Sequence, residues 1–245
     1  MRADSREDGR LIDHRAERIQ IAVRLLPVFR GLSPEDQGRI AAMASLRDLS
    51  KGDVLFEEGE PAETLMLILE GRVKIVRHGS AGDVILEIFT AGEPVAALAV
   101  YNGIPYPSSG VAMDRVSLLC LPKRDYFDLL ERHPSFARGI IRELTRLNLS
   151  LTRKLAEMRG QRVETRIAQL FLTLAERMGR EHAEGLEIPL GLSRQEIAEM
   201  VGTTVETSIR VMSRWGREGL LITGEGRFLI PSREKLAEAA RAEDA

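Results

Sequence analysis

Glu206 and Arg210 stand four residues apart in the stretch TTVETSIRVMSRW, residues 203–215, so they share one face if this stretch is a helix. A carboxylate can accept a hydrogen bond from cytosine N4, and a guanidinium can donate to both O6 and N7 of guanine. The pair could therefore read base edges in DNA. The alternative is an ordinary surface ion pair, which contributes about 0.3 kcal/mol.

Two short helices are predicted around this pair. Ser193 and Glu196 have the S-x-x-E spacing of a capping box, which marks the start of the first helix, and Gly202 ends it. Thr203 or Thr204 can cap the second helix, which runs through Trp215. Two helices joined by a glycine turn are typical of a helix-turn-helix.

A β-hairpin is predicted directly after the second helix. The segment LLITGEGRFLI, residues 220–230, alternates around a Gly-Glu-Gly turn. A hairpin in this position is a wing, and in a winged helix-turn-helix we favour base reading by Glu206 and Arg210 over the surface pair.

The net charge of the chain gives no sign of nucleic-acid binding by the whole molecule, because it is −2 at pH 7. Residues 204–233, in contrast, contain five Arg and three Glu. Any DNA-binding surface must therefore be local.

Residues 46–122 predict an antiparallel β sandwich or barrel. Short apolar runs such as LMLIL (65–69) and VILEIF (84–89) alternate with glycines and prolines. Ahead of them, 25–46 has helical character, and Ser33 followed by Pro34 marks a helix start.

Residues 134–158 predict one long helix with an apolar seam spaced by three or four residues. Its members include Ile140, Leu144, Leu147, Leu151 and Leu155. The seam could pack on its own domain, but we favour parallel self-association into a homodimer. Gly160 follows as a predicted hinge.

Composition and motifs exclude several classes of protein. No apolar run approaches the ~18 residues of a membrane span, and the N-terminus is charged, so we expect a cytoplasmic protein without membrane contact. The single cysteine, Cys120, cannot form an internal disulfide or hold a metal alone. No motif of nucleophilic, nucleotide or metal chemistry is present, so we expect no enzyme. A regulatory β module that contacts another protein is the rival, but it leaves 193–230 unexplained.

The stretch LSRQEIAEMVGTTVETSIR, followed by VMSRWGREGLL and the wing, resembles the Crp/Fnr superfamily of bacterial transcription regulators over about residues 25–232. The resemblance implies an α+β fold with an N-terminal antiparallel β jelly roll, a long dimerisation helix and a C-terminal winged helix-turn-helix. It also implies a homodimer on a palindromic operator with a TGA-containing half-site in double-stranded DNA, and RNA polymerase as a further partner.

The resemblance and the patterns together divide the chain into five segments. These are an N-terminal arm over 1–24, an effector-sensing jelly roll over 25–122, connecting and dimerisation helices over 123–159, a winged helix-turn-helix over 160–233 and a C-terminal tail over 234–245.

By position, the resemblance assigns the base readers to Glu206 and Arg210. The other predicted DNA contacts are Ser193, Arg194, Thr204, Val205, Ile209 and Arg214. Ile209 departs from the Ser or Gly often found in relatives. It could contact a thymine methyl, or it could be a packing substitution compensated by Ser208.

The effector cassette departs from that of cyclic-AMP binders, which carry a glutamate for the ribose and an arginine for the cyclic phosphate. Ala97 and Pro107 occupy these two positions, and only Ser108 is retained. A cyclic-nucleotide effector is therefore disfavoured. The predicted pocket is apolar, formed by Ala97, Leu98, Pro107, Ser108 and Thr152. Its ligand could be a small apolar or anionic molecule, or the protein could act without one.

Haem is the named cofactor that remains, because some relatives sense nitric oxide or carbon monoxide with it. The available axial ligands are His14, His78, His133 and His182, of which His14 fits best if the arm folds over a pocket. An iron–sulfur cluster of the oxygen-sensing type is excluded, because residues 1–30 contain no cysteine.

Overall fold

The structure is a computed structural model that describes the backbone of residues 4–79, 82–157 and 162–241, and the side chains of these residues except 4–14 and 153–157. The chain divides into two compact units. The first comprises Met1–His78 and Leu86–Leu149, and the second comprises Gly79–Ile85 and Ser150–Ala245. The division falls at Leu149, within a long helix, whereas the hinge predicted at Gly160 lies outside the described residues.

Helices surround a β domain in the N-terminal part of the chain. The helices are α1 (Asp4–Leu25), α2 (Pro34–Met43), α3 (Ala97–Asn102), α4 (Lys123–Arg132) and α5 (Pro134–Glu157), with a short 3-10 turn at Pro27–Phe29. The strands are β1 (Ser45–Leu49), β2 (Val54–Phe56), β3 (Thr64–Glu70), β4 (Arg72–Arg77), β5 (Val84–Thr90), β6 (Pro94–Val95), β7 (Ser109–Ala112) and β8 (Val116–Pro122).

These strands form two four-stranded sheets, with the orders β1-β8-β3-β6 and β2-β7-β4-β5. The pairs β1–β8, β3–β8, β3–β6, β2–β7 and β4–β7 are antiparallel, which confirms the predicted β architecture. Leu46, Leu119 and Leu67 stand side by side in register across β1, β8 and β3 and are buried. Burying such a leucine contributes about 2 kcal/mol, so matched rows of this kind hold the sheet in register.

Local sequence signals set the start of α2 but not the extent of the predicted lead-in helix. Ser33 Oγ accepts a hydrogen bond from Asp36 N at 3.1 Å, as its position before Pro34 predicts. The helical character predicted over 25–46 is realised as a short 3-10 turn and α2, and β1 begins at Ser45, because its residues pair with β8.

The segment predicted as an N-terminal arm contains α1, whose described side chains pack on the first unit. Ile19, Ala22 and Val23 are buried. Arg18 Nη2 donates to Ser117 Oγ at 3.0 Å and lies 3.3 Å from Asp48 Oδ1. This part of the predicted arm is therefore a component of the domain, because its apolar face covers the β1 side of the sheet.

The members of the apolar seam of α5 differ in burial. Ile140 is only 3% exposed and belongs to the core of the first unit, against which Leu144 and Leu147 also pack. Leu151 is 40% exposed, and the side chain of Leu155 lies outside the described residues. The large apolar residues exposed on α5 include Ile141 and Leu149, at 61% and 55%. In the single chain the first three members of the seam thus pack at least partly on their own domain, and self-association through the seam stays a prediction.

The second unit contains a small four-stranded sheet and several helices. Its elements are α6 (Val163–Met178), β9 (Arg180–His182), β10 (Gly185–Ile188), α7 (Arg194–Val201), α8 (Val205–Arg217), β11 (Ile222–Gly224), β12 (Arg227–Ile230) and α9 (Arg233–Ala239). The strand order is β11-β12-β10-β9. The rings of Phe171 and Phe228 pack edge to face in the core of this unit, with their centroids 4.7 Å apart. Leu236 of α9 is fully buried, so the predicted C-terminal tail begins with a packed helix.

Cys120 is buried on β8, where it is a small side chain of the core. Burial raises the pKa of its thiol to about 11, with Arg47 acting in the opposite direction. Within the part of the chain that the structure describes, no helix is long and apolar enough to cross a membrane.

Candidate nucleic-acid interface

The first helix of the predicted helix-turn-helix, α7, begins with a complete capping box. Ser193 Oγ accepts from Glu196 N at 3.1 Å, and Glu196 Oε2 accepts from Ser193 N at 3.0 Å. The Ser193 hydroxyl also donates to Glu196 Oε2 at 3.0 Å. Ser193 thus caps α7 in this structure, and its predicted contact with DNA stays a prediction.

The turn between the two helices is held from α6. Gly202 has φ +66°, in the left-handed region that glycine adopts at little cost. Arg166 Nη1 donates to Val201 O at 2.6 Å and lies 3.3 Å from Gly202 O. Carbonyl groups at the C-terminal end of a helix have no N–H donor within that helix. Because Arg166 supplies a donor, it stabilises the end of α7. Sequence inspection did not identify Arg166, because nothing local links it to a turn 35 residues away.

The second helix, α8, buries one face and exposes the predicted readers. Thr204 caps it by accepting from Thr207 N at 3.3 Å, as predicted. Val211, Met212 and Trp215 are buried, as is Ser208. The predicted readers Glu206 and Arg210 are exposed, together with Ile209, while Val205 is half-buried.

Ser208 and Ile209 differ sharply in burial. Ser208 is fully buried, whereas the adjacent Ile209 is 47% exposed. Ile209 is therefore not a core side chain, and its exposure leaves it accessible. Its contact with a thymine methyl group stays a prediction.

Arg214 is engaged with acids. Its Nη2 lies 3.4 Å from Glu164 Oε1 on α6, and its Nε lies 3.9 Å from Glu218 Oε1. Both pairs are largely exposed, so each contributes little to stability. The predicted contact of Arg214 with DNA would require it to leave these acids, and it stays a prediction.

Arg194 connects α7 to the wing. Its Nη2 donates to Thr223 Oγ1 on β11 at 2.9 Å. Partial burial lowers the pKa of this guanidinium, although an arginine stays charged at neutral pH. Thr223, like Arg166, was not identified from the sequence.

The residues predicted to form the effector pocket are not all buried. Ala97, at the start of α3, is 5% exposed, and Ser108 is 6% exposed. Leu98 is half exposed, and Pro107 and Thr152 are exposed. Ala96, which precedes α3, has φ +66°, an unusual value for a residue with a Cβ. Of the four predicted pocket residues in the first unit, two are therefore buried and two are exposed, and the pocket stays a prediction.

Two surface cavities of the first unit lie elsewhere. One, of about 290 Å³, lies between α2 and α4 and is lined by residues that include Ile40, Leu129 and His133. The other, of about 500 Å³, is lined by residues that include Arg47, Tyr106 and Cys120. The lining of neither includes a predicted pocket residue.

Among the described histidines, His133 lines the smaller cavity beside an acid. His133 Nε2 lies 3.8 Å from Asp36 Oδ1, and His78 and His182 are exposed. The side chain of His14 lies outside the described residues. Haem binding by any of these histidines stays a prediction.

Comparison with known proteins agrees with this architecture. Residues 46–133 match the family model of the cyclic nucleotide-binding domain, and residues 165–239 match that of the Crp-like helix-turn-helix domain. Together the two matches cover well over half of the chain.

Similar proteins are bacterial regulators. The chain is 26% identical over 215 residues to the CRP-like cAMP-activated global transcriptional regulator of Mycobacterium tuberculosis, covering 87% of this chain and 96% of that protein. It is 29% identical over 177 residues to the transcriptional regulatory protein btr of Bordetella pertussis, covering 71% and 72%.

A solved structure shares the fold. FixK2 from Bradyrhizobium japonicum matches with a TM-score of 0.71 at 19% identity, over 82% of this chain and 99% of that one. Two matched domains in this order, a capped helix-turn-helix and relatives that span nearly the whole chain lead to one conclusion: the protein belongs to the Crp/Fnr family of DNA-binding transcription regulators.

Proposed function

We propose that this protein binds an inverted-repeat operator in double-stranded DNA as a homodimer, with Glu206 and Arg210 reading base edges in the major groove. One observation carries the proposal. Both side chains are exposed on the N-terminal half of α8, and within the described part of the chain neither makes a hydrogen bond or an ion pair. The N-terminal half of a recognition helix is the part that meets base edges in helix-turn-helix proteins.

The state of neighbouring arginines supports this assignment. Arg227 lies 2.7 Å from Glu187, and Arg233 lies 2.7 Å from Glu176, so both guanidinium groups are engaged with carboxylates. If Glu206 and Arg210 were a surface ion pair of the same kind, their charged groups would meet, and they do not. An acid and a guanidinium that stay apart on one face match cytosine N4 and the O6 and N7 of guanine.

Selection of duplexes from a random pool by the purified protein tests the proposal. We expect enrichment of an inverted repeat whose half-site centres lie about 34 Å apart, because two-fold related helices must enter successive major grooves. A TGA-containing half-site is the expected core. The affinity should fall as the salt concentration rises. The logarithm of the binding constant, plotted against the logarithm of the salt concentration, should have a slope of about −0.9 per phosphate contacted. If no duplex sequence is enriched and any binding does not depend on salt concentration, a regulatory β module that contacts another protein would be favoured instead.

The homodimer is proposed to form through the exposed face of α5 rather than through the whole predicted seam. Ile141 and Leu149 are eight residues apart, so they lie on the same side of the helix about two turns from each other. Both are more than half exposed, whereas Ile140 is committed to the core. Covering these two side chains in a parallel helix pair would remove apolar surface from water.

The effector is proposed to differ from cyclic AMP. A cyclic phosphate needs a positive partner, and Pro107 offers none; a ribose hydroxyl needs an acceptor, and the methyl group of Ala97 is not one. A small apolar or anionic molecule, or control without a ligand, fits these residues better. We further propose that the protein acts in the cytoplasm through RNA polymerase and catalyses no reaction, as its family implies.

A further inference from the structure

A side-chain hydrogen bond joins the wing of this protein to the first helix of the helix-turn-helix. Arg194 is the first residue of α7, and Thr223 lies in the middle of β11. The Arg194 Nη2 to Thr223 Oγ1 hydrogen bond is 2.9 Å long and is exposed to solvent. A guanidinium carries five N–H groups, so this bond leaves most of its donors for another acceptor.

A close backbone approach fixes the wing beside the same helix end. A Cβ placed on Gly191 would lie 3.0 Å from Gly226 Cα, which is tighter than ordinary van der Waals contact. Gly226 itself has φ +65° and forms the turn between β11 and β12. The tip of the wing therefore rests on the segment that leads into α7, and the position of Thr223 relative to Arg194 follows from this packing.

The charges of the wing show that its own side chains are poorly suited to hold a phosphate. Between Ile222 and Ile230 the charged residues are Glu225 and Arg227. Glu225 would repel DNA, and Arg227 Nη1 is engaged with Glu187 Oε2 at 2.7 Å. Arg194, which is hydrogen-bonded to Thr223, is therefore the positive group that a wing side chain can orient.

We propose that Thr223 is a positioning residue that orients the Arg194 guanidinium towards a DNA phosphate. The inference rests on the proposed DNA-binding function and adds to it a role for the wing. An arginine held in one orientation loses less conformational freedom when it binds a phosphate with two parallel hydrogen bonds. The wing then acts on DNA affinity through Arg194, and sequence preference stays with α8.

A double-mutant cycle tests the role of Thr223. The dissociation constant of a selected fluorescent duplex is measured by anisotropy at several salt concentrations for the wild type, R194A, T223V and the double variant. Valine keeps the shape and strand preference of threonine and removes the acceptor. We expect R194A to raise Kd about tenfold. It should also reduce the slope of log Kd against the logarithm of salt concentration by the amount that corresponds to about one phosphate contact. T223V should raise Kd about threefold in the wild-type background and leave it unchanged in the R194A background.

Two further variants separate positioning from a loss of structure. T223S retains the hydroxyl and should bind as the wild type does. Gly191→Ala adds a Cβ against the turn at Gly226 and should weaken binding only while Arg194 is present. Circular dichroism should show unchanged thermal unfolding for T223V, because Thr223 is exposed.

Three results would overturn the inference. T223V could bind as tightly as the wild type, it could weaken binding equally in both backgrounds, or T223S could be as weak as T223V. The second result would give Thr223 a contact of its own. A wild-type protein that binds no duplex would remove the proposed function itself, which is a distinguishable failure.

Discussion

Arg166 Nη1 on α6 lies 2.6 Å from the main-chain oxygen of Val201, the last residue of α7. The same nitrogen is 3.3 Å from Gly202 O, so one guanidinium contacts both carbonyls at the C-terminal end of α7. The last carbonyls of a helix lack partners within it, and a positive group there also interacts favourably with the helix dipole. The helix-turn-helix geometry therefore depends on a residue outside the motif.

Replacing Arg166 by methionine should lower the stability of the second unit by about 1–3 kcal/mol, because methionine keeps the apolar stem and loses the charged donor. Thermal unfolding followed by circular dichroism measures the effect. Arg180→Met, at an exposed position on β9, is the matched control and should change stability little. Equal stability of the wild type and R166M would mean that water can replace the guanidinium at these carbonyls.

Ile209 should make the protein sensitive to single thymine methyl groups. In a selected duplex, replacing the contacted thymine by deoxyuridine removes one methyl and should weaken wild-type binding about fourfold, because burying such a group contributes about 0.8 kcal/mol. The I209S variant should bind both duplexes equally. Ile222→Ser, which alters an exposed isoleucine on the wing, serves as the control and should keep the wild-type response. If no thymine in the half-site shows this effect, Ile209 does not contact a base methyl.

Arg210→Ala should remove discrimination at one guanine of the half-site, at a cost of about 1–3 kcal/mol in specific binding. Binding to unrelated duplexes should change little. The comparison variant is Arg217→Ala, which alters an exposed arginine on the same helix whose Nε lies 3.4 Å from Ser213 O. Competition assays with singly substituted operators measure the preference at each position. Uniform weakening on all sequences would identify Arg210 as a phosphate contact instead.

Substituting Ile141 and Leu149 by glutamate should produce a folded monomer, because both side chains are exposed in the single chain. Leu144→Glu should act differently and lower the thermal stability, since Leu144 packs against the core. Sedimentation equilibrium and thermal unfolding distinguish the two effects. A dimer that survives both glutamates would place the intersubunit contact on another surface.

Cyclic AMP at millimolar concentration should leave thermal unfolding unchanged. A ligand that binds only the native state at 100 times its Kd would add about 2.7 kcal/mol to stability, which a thermal scan detects readily. The absence of charge at Ala97 and Pro107 is the reason for the expected result. A clear upward shift would contradict this interpretation of the cassette.

The sequence alone determined those features that depend on contacts between residues close in the chain. The capping box of Ser193 and Glu196, the left-handed Gly202 and the cap at Thr204 all involve hydrogen bonds or backbone angles within a few residues. Their signals are therefore complete in a short window, and they located both helices and the proposed readers on α8. The glycine-punctuated apolar runs likewise predicted the antiparallel sheets.

Only the tertiary structure decided which surface each apolar stripe covers. A seam such as Ile140, Leu144 and Leu147 records that something packs there, and the same pattern fits a partner subunit or the domain itself. The structure places Ile140 in the core and leaves Ile141 outside. The contacts of Arg194 with Thr223 and of Arg166 with Val201 join residues 29 and 35 positions apart, so they exist only once the chain has folded. A periodic pattern identifies the buried face of an element, but the neighbour that buries it is set by the packing of the whole domain.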